Sequence, residues 1–239
     1  MMILEEKFIL TPIETIMEEA VGACAVLGGG IETYPISEYV FQSVFLKMTG
    51  SQEQKLRCVM WYVSSFDYET RYKYLDKYKD MHQFSALGDK NKVYGLFREF
   101  VKRHDRSNVE IIDAVKVQMI RDTATSIARI LGKSELREWN LKQYQEFKRW
   151  ASGVTQGEVA NRGELLAGAL KDMHEDMVRN RNKYAHNSLS YQQNLPSMKS
   201  LVKGEESGNF YEWFFVLMLI DKVIMDRFKL MKVIIEQSA

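Results

Sequence analysis

The chain has 239 residues, of which 46% are hydrophobic and 27% charged, with only 3 Pro and 14 Gly. That balance excludes a disordered, collagenous or low-complexity polymer and leaves enough apolar material for a core. Lys and Arg total 33 against 32 Asp and Glu, a formal charge of +1, so any site for a polyanion has to be local rather than a property of the whole surface.

The opening Met-Met-Ile-Leu is followed by Glu5 and Glu6, the wrong charge for the leading segment of a signal peptide. Cys24 and Cys58 lie far apart in apolar runs. They read as two buried thiols in a reducing cytoplasm, not as a disulfide framework or a Cys zinc site. Apolar residues recur at spacings of three and four along most of the chain, and two-residue alternation over a strand's length is hard to find. The expected fold is therefore all-α, a helical bundle.

Thr11-Pro12 with Glu14 reads as an N-cap, a first-turn proline and a capping box. The helix it opens should stop at Gly28-Gly29-Gly30. A helix over Ser37 to Met48, ended by Gly50, comes next, and Ser51 with Gln54 opens another through Met60, Tyr62 and Phe66 to about Tyr78. Further helices are expected near 90–104, 109–131 and 135–151, with a break at Gly132-Lys133-Ser134. The next runs from about Asn161 to the region of Tyr184, and the last from about Asn209 to Glu236. That last helix carries the run Trp213 to Ile220, cut by Asp221 and far short of a membrane span. It is apolar over more than one stripe, the mark of a helix buried among neighbours or paired across a subunit interface.

Two connections stand out. The polar stretch 152–160 divides the chain into residues 1–152, a run of helices, and 153–239, unless the whole is one continuous domain. Residues 187–208 show little periodicity, and loops of that length are often functional. The Gly-Gly-Gly is a helix stop and not a phosphate loop, since neither GxxxxGK[ST] nor a preceding strand accompanies it.

Between Phe66 and Tyr78, Tyr68, Tyr72, Tyr74 and Tyr78 interleave with Arg71, Lys73 and Lys77. Rings and cations together can hold single-stranded nucleic acid. Asp67, Glu69 and Asp76 neutralise most of that charge, so the plainer reading is an exposed helix with tyrosines packed along one edge. Signatures of metal or nucleophile chemistry are missing: there is no HExxH, no Glu-x-x-His pair and no nucleophile elbow. His82 and His104 read as solvated helix-end residues, and His174, in the acidic turn Asp172 to Asp176, as a surface contact. No metal and no cofactor is implied.

One segment carries chemistry: Arg179-Asn180-Arg181-Asn182-Lys183-Tyr184-Ala185-His186-Asn187, with three cations and no intervening acid. At about 100° per residue, Arg179, Asn182 and His186 share one helix face, while Arg181 points roughly 140° away from His186. An imidazole titrates near neutrality, so it can take a proton from a ribose 2′-hydroxyl or give one to a leaving oxygen. A guanidinium can grip the phosphate in a bidentate contact and stabilise the charge that develops on it. The asparagine can orient the phosphate or the imidazole. The alternative is a helix C-terminus decorated with cations that cap its carbonyls.

Arg181-Asn182-Lys183-Tyr184-Ala185-His186 resembles the R-x4–6-H motif of the HEPN superfamily (higher eukaryotes and prokaryotes nucleotide-binding), in its Arg-Asn-x-x-x-His form. The resemblance covers about residues 155–239 and implies a HEPN-like helical bundle with additional N-terminal helices. It implies a metal-independent endoribonuclease that cleaves single-stranded RNA by 2′-hydroxyl attack, in a defence or toxin–antitoxin setting. Arg181, Asn182 and His186 would be the catalytic set, met by the same motif of a second copy in a homodimer. Arg179, Lys183 and Tyr184 would bind substrate, and Arg179 also fits the looser spacing as the functional arginine. The implied partners are RNA and an antitoxin protein, with no membrane. Some members of the superfamily are inactive, so a non-catalytic module binding a nucleotide, RNA or protein is the alternative.

Overall fold

A helix that is apolar all round has no face to give to water and must sit inside a bundle. The segment from Phe210 to Ile220 does so, with every residue but Glu212 buried. The computed structural model describes residues 2–24, 34–66, 68–69, 71–72, 84–105, 108–132, 136–186 and 209–238. In chain order these form α1 (Met2–Leu10), α2 (Glu14–Ala23), α3 (Tyr34–Phe66), α4 (Leu87–His104), α5 (Asp113–Leu131), the single turn α6 (Leu136–Trp139) and α7 (Leu141–Gly153). A 3-10 turn (Gln156–Glu158), the short strands β1 (Val159–Asn161) and β2 (Glu164–Leu166), α8 (Gly168–His186) and α9 (Phe210–Ser238) complete them.

The fold is all-α, a helical bundle with one small hairpin. α9 is its central post and packs against α3, α4, α5, α7 and α8. α1 and α2 lie along α3, and α2 also reaches α5. Among the described residues no helix is long and apolar enough to cross a membrane.

The N-terminal elements are pinned to the post by a buried ion pair. Lys55 on α3 donates to Asp221 on α9 at 2.5 Å and to the Thr11 carbonyl at 2.7 Å. The second Asp221 oxygen accepts the Ile13 N–H at 3.0 Å. Burial pushes the Asp221 carboxyl above the ordinary range even beside Lys55, so the attraction does not fully repay the desolvation.

Four expectations are corrected. The 33 residues of α3 run straight through Gly50, where two helices were expected. An interior glycine costs a helix only about 1 kcal/mol. Burial of Met48, Thr49, Gln52 and Lys55 on both sides of it outweighs that, and the Gln52 side chain donates to the Leu217 carbonyl at 2.9 Å. The capping box at Thr11 is absent: residues 2–10 are already helical, and the Thr11 hydroxyl turns back to the Lys7 carbonyl at 2.8 Å. The expected helix over 135–151 is broken at Asn140, whose side chain donates to Ser37 at 3.1 Å and to the Leu136 carbonyl at 3.2 Å.

The fourth correction bears on the site. The helix expected from Asn161 starts at Gly168, and the chain before it makes an antiparallel hairpin pairing Val159 with Leu166 and Asn161 with Glu164. Its two turn residues, Arg162 and Gly163, have φ of 49° and 93°, the left-handed geometry that suits the twist of a two-residue hairpin. Glu158 ties the ends together. One carboxylate oxygen accepts the Thr155 N–H at 3.0 Å and the other accepts the Ala169 N–H at 2.9 Å, an acid at the positive end of α8. The glycine stop at 28–30, residues 73–80, His82, Lys133-Ser134 and the 187–208 loop lie outside the described residues.

Candidate functional site

α8 carries the motif, and its sequence fixes which sides face inward. Leu170, His174, Met177 and Asn180 recur at spacings of three and four, and all are buried. Their stripe packs α8 against α3, α4 and α9. Asp176 locks the contact with α9: one of its oxygens accepts the Trp213 indole N–H at 3.2 Å and the Asn180 amide at 3.2 Å. Its other oxygen receives Arg179 at 3.3 Å.

The six candidate site residues then part company. Tyr184 puts its ring into the aromatic cluster, stacked on Phe210 at 5.9 Å and edge-on to Phe45 at 6.3 Å. Burial, with Glu38 and Asp176 nearby, pushes its hydroxyl up to about 12. Arg181 turns toward α3 and pairs with Glu53 at 3.2 Å, both side chains mostly covered. A second guanidinium nitrogen donates to the Asn182 side-chain oxygen Oδ1 at 3.3 Å. Arg179 stands on another side of the helix with its side chain 69% exposed and pairs with Asp176 at i,i+3, a contact worth about 0–1 kcal/mol. Asn182 and Lys183 are exposed. His186 is the last residue of α8.

The partner of Arg181 opens a polar cluster that sequence reading did not assemble. The Glu53 oxygen that meets Arg181 also accepts the Ser85 hydroxyl at 2.7 Å. Lys90, buried on α4, donates to the Gln52 side-chain carbonyl. Burial lowers the Lys90 ammonium to about 7, with Glu53 opposing the shift and Arg181 adding to it. Thr49, Ser85 and Met177 help to bound a void of about 10 Å³ between these groups, the size of one water. The cluster thus joins a carboxylate, a hydroxyl, an arginine and a lysine poised near neutrality, the kind of perturbed set that gathers at functional sites.

His174 is a correction. It was expected at the surface, and it is fully buried. Neither ring nitrogen meets a hydrogen-bonding partner among the described residues. Burial, helped by the Lys90 charge, lowers it to about 2, so the ring is neutral. A buried polar group left unpaired costs about 1–3 kcal/mol. The signal was present in the register, since His174 falls in line with Leu170 and Met177. Glu53, Ser85 and Lys90 gave no comparable local signal, because three separate segments meet only in the bundle.

Trp61 on α3, and Tyr68 and Tyr72 beyond its last residue, are 70%, 81% and 66% exposed, so the two described tyrosines of the aromatic and basic stretch are not packed along an edge. Arg103 pairs with Glu69 there at 3.0 Å. The thiols of Cys24 and Cys58 are free and half-buried, and burial raises both above the ordinary range. No family model, no curated protein and no solved structure matches the chain.

Proposed function

We propose that the chain is a metal-independent endoribonuclease of HEPN type, cytoplasmic and acting as a homodimer on single-stranded RNA. The observation that carries the reading is the continuity of α8. Arg179, Arg181, Asn182 and Lys183 fall in the closing turns of one helix that ends on His186, inside an all-helical bundle. In the reaction proposed, the imidazole of His186 takes the proton of a ribose 2′-hydroxyl, and that oxygen forms a bond to phosphorus. The P–O5′ bond breaks, the 5′-oxygen takes up a proton given back by an imidazolium of the paired motifs, and the products are a 2′,3′-cyclic phosphate and a 5′-hydroxyl. An arginine stabilises the extra negative charge on the phosphoryl oxygens, and such groups are worth about a hundredfold or more in rate. A second copy of the motif completes the site, and an antitoxin-type protein is the partner this reading implies.

The competing reading is a non-catalytic binding module of the same type, and one observation favours it. Arg181 is already engaged by Glu53, so its charge is partly spent inside the protein. The two readings part in one assay: wild type and His186→Ala incubated with a labelled RNA pool in EDTA, with the product ends analysed. Cleavage by wild type alone, leaving 2′,3′-cyclic ends, is the expected result. Absence of cleavage by a folded dimer across varied RNAs gives the binding module the lead.

A further inference from the structure

The exposed face of α3 changes character along its length. Lys47, Gly50 and Gln54 make it an ordinary solvated face, and beyond them it turns aromatic. Counted at about 100° per residue, Arg57, Ser65, Tyr68 and Tyr72 fall within about 40° of Trp61, and all of them are exposed. Residues 68–69 and 71–72 are helical like α3 itself, so the three rings follow one line. The other sides of α3 are taken by α1, α2, α4, α8 and α9. Rings left in water forgo the gain that burial brings, and a row of them marks a face that another surface covers.

The row has the same pattern from either end. Trp61 and Tyr68 lie equally far from the Ser64–Ser65 step, and Arg57 and Tyr72 lie equally far outside them. A second copy laid antiparallel therefore sets Trp61 against Tyr68 of that copy and Arg57 against its Tyr72, twice over, as a two-fold contact demands. The small Ser65 stands at the crossing, its hydroxyl turned back to the Trp61 carbonyl at 2.9 Å, and lets the two helices approach. A parallel pair would instead set Arg57 on Arg57, and the like charges repel. At about 150–250 Å² for each ring, the three rings of both copies together come to about 1,000 Å², where specific interfaces begin. Nucleic acid fits the row less well. Arg103 is paired with Glu69 at 3.0 Å and Arg57 lies over the Phe84 ring at 6.0 Å, so less cationic charge is open to track a strand.

We propose that the row of Arg57, Trp61, Ser65, Tyr68 and Tyr72 is a two-fold interface whose occupant is a second copy of this chain, laid antiparallel. It is not the interface that the ribonuclease reading calls for. The motif end of α8 lies by Phe45 through Tyr184, twenty residues before Ser65 and so about 30 Å from it along α3. This pairing holds the two motifs far apart and neither needs nor builds a composite site. A chain that also paired through its motif would carry two self-complementary faces and close as a tetramer.

The test is sedimentation velocity of the full chain between about 1 and 100 μM, where association is expected. Trp61→Ala and Tyr68→Ala should each weaken it by about tenfold or more, and Trp61→Phe should keep most of it. These side chains are exposed, so the thermal midpoint should stay where it is. The expected wild-type assembly has twice the mass of the Trp61→Ala one. A dimer reduced to a monomer upholds this interface without the motif pairing, and a tetramer reduced to a dimer upholds it beside a second one. The register has its own readout. With Ser65→Cys, mild oxidation should join two copies through position 65, mapped by peptide mass, and Gln54→Cys, about 16 Å from the crossing, should not join them. A wild-type chain that is monomeric at about 100 μM would overturn the proposal, and so would an assembly that Trp61→Ala and Tyr68→Ala leave unchanged. Linkage through Gln54→Cys in place of Ser65→Cys would overturn it too. Variants that lose retention of a single-stranded RNA while still associating would assign the row to nucleic acid instead.

Discussion

Two lysines, Lys55 and Lys90, are buried to the same degree in this bundle, and their surroundings differ in kind. Lys55 meets one carboxylate and one carbonyl, and the carboxylate is itself completed by a backbone N–H. Every group there has a partner, and all of them come from elements that must be held together. Lys90 meets the neutral Gln52, with Glu53 already shared between Ser85 and Arg181, and close by is His174, unpartnered among the described residues. Burial alone therefore does not mark a functional residue. A closed pair reads as a fastener, and an unbalanced cluster at the foot of a motif helix reads as a site.

The comparison breaks most sharply at the closed pair. Asp221→Ala leaves the Lys55 ammonium buried and unpaired, and it should cost about 3–5 kcal/mol in urea unfolding. Replacing both residues with apolar ones of similar volume should cost far less. If the single and double changes cost the same, the pair is not the fastener described here.

The open cluster should instead declare itself in pH dependence. The Lys90 ammonium has an ordinary value of 10.5 and sits at about 7 in the folded chain. Between those values the unfolded chain holds the proton and the folded chain has released it, so stability rises with pH across that window. The burial penalty is fully present below about pH 7. Lys90→Met should remove that slope, which is at most about 1.4 kcal/mol per pH unit, and should stabilise the protein at pH 6. An unaltered slope in Lys90→Met refutes the assignment. His174 adds a second window on the acid side. Its ordinary 6.5 falls to about 2, so stability should drop as pH falls from 6.5 toward 2, and less steeply in His174→Phe.

Glu53→Gln should have a smaller effect, about 1–3 kcal/mol, because the amide keeps the Ser85 contact while Arg181 loses its countercharge. A loss as large as that of Asp221→Ala would place this cluster with the fasteners. The smallest effect is expected at the entry to α8. Gly168 has φ of 53°, and a Cβ there would stand 2.7 Å from the Glu158 carboxylate. Gly168→Ala should cost about 1–2 kcal/mol, read as a lowered thermal midpoint.

How far the sequence could be read depended on how local each cause was. The central helix was legible because residues 210–220 are apolar on all sides, whatever their neighbours. The motif helix was legible from Arg181 to His186, though its start was not. Strands of three residues are too short to show alternation, and the turn signal in Asn161-Arg162-Gly163 passed for helix. Gly50 misled because a local cost of about 1 kcal/mol was weighed without the burial that surrounds it. His174 was misjudged by the acids beside it in sequence, although helical register put it with Leu170 and Met177. The Glu53–Ser85–Lys90–Arg181 cluster draws on three segments of the chain, α3, the entry to α4 and α8, and only tertiary packing defines it.

The central position of α9 also governs when this molecule can exist. A nascent chain that has emerged only through α8 has the walls of the bundle but nothing for them to close around. The apolar faces of α3, α4, α5, α7 and α8 that meet α9 stay open until Phe210–Ser238 has been synthesised. Translation proceeds at roughly 5–20 residues per second, so those faces are exposed for seconds, in the range where chaperones act. The contacts that end the wait are distant in sequence, as between Ile13 and Asp221, which makes closure slow for a helical protein. Whatever chemistry resides at the end of α8 is therefore withheld from the growing chain until α9 is in place.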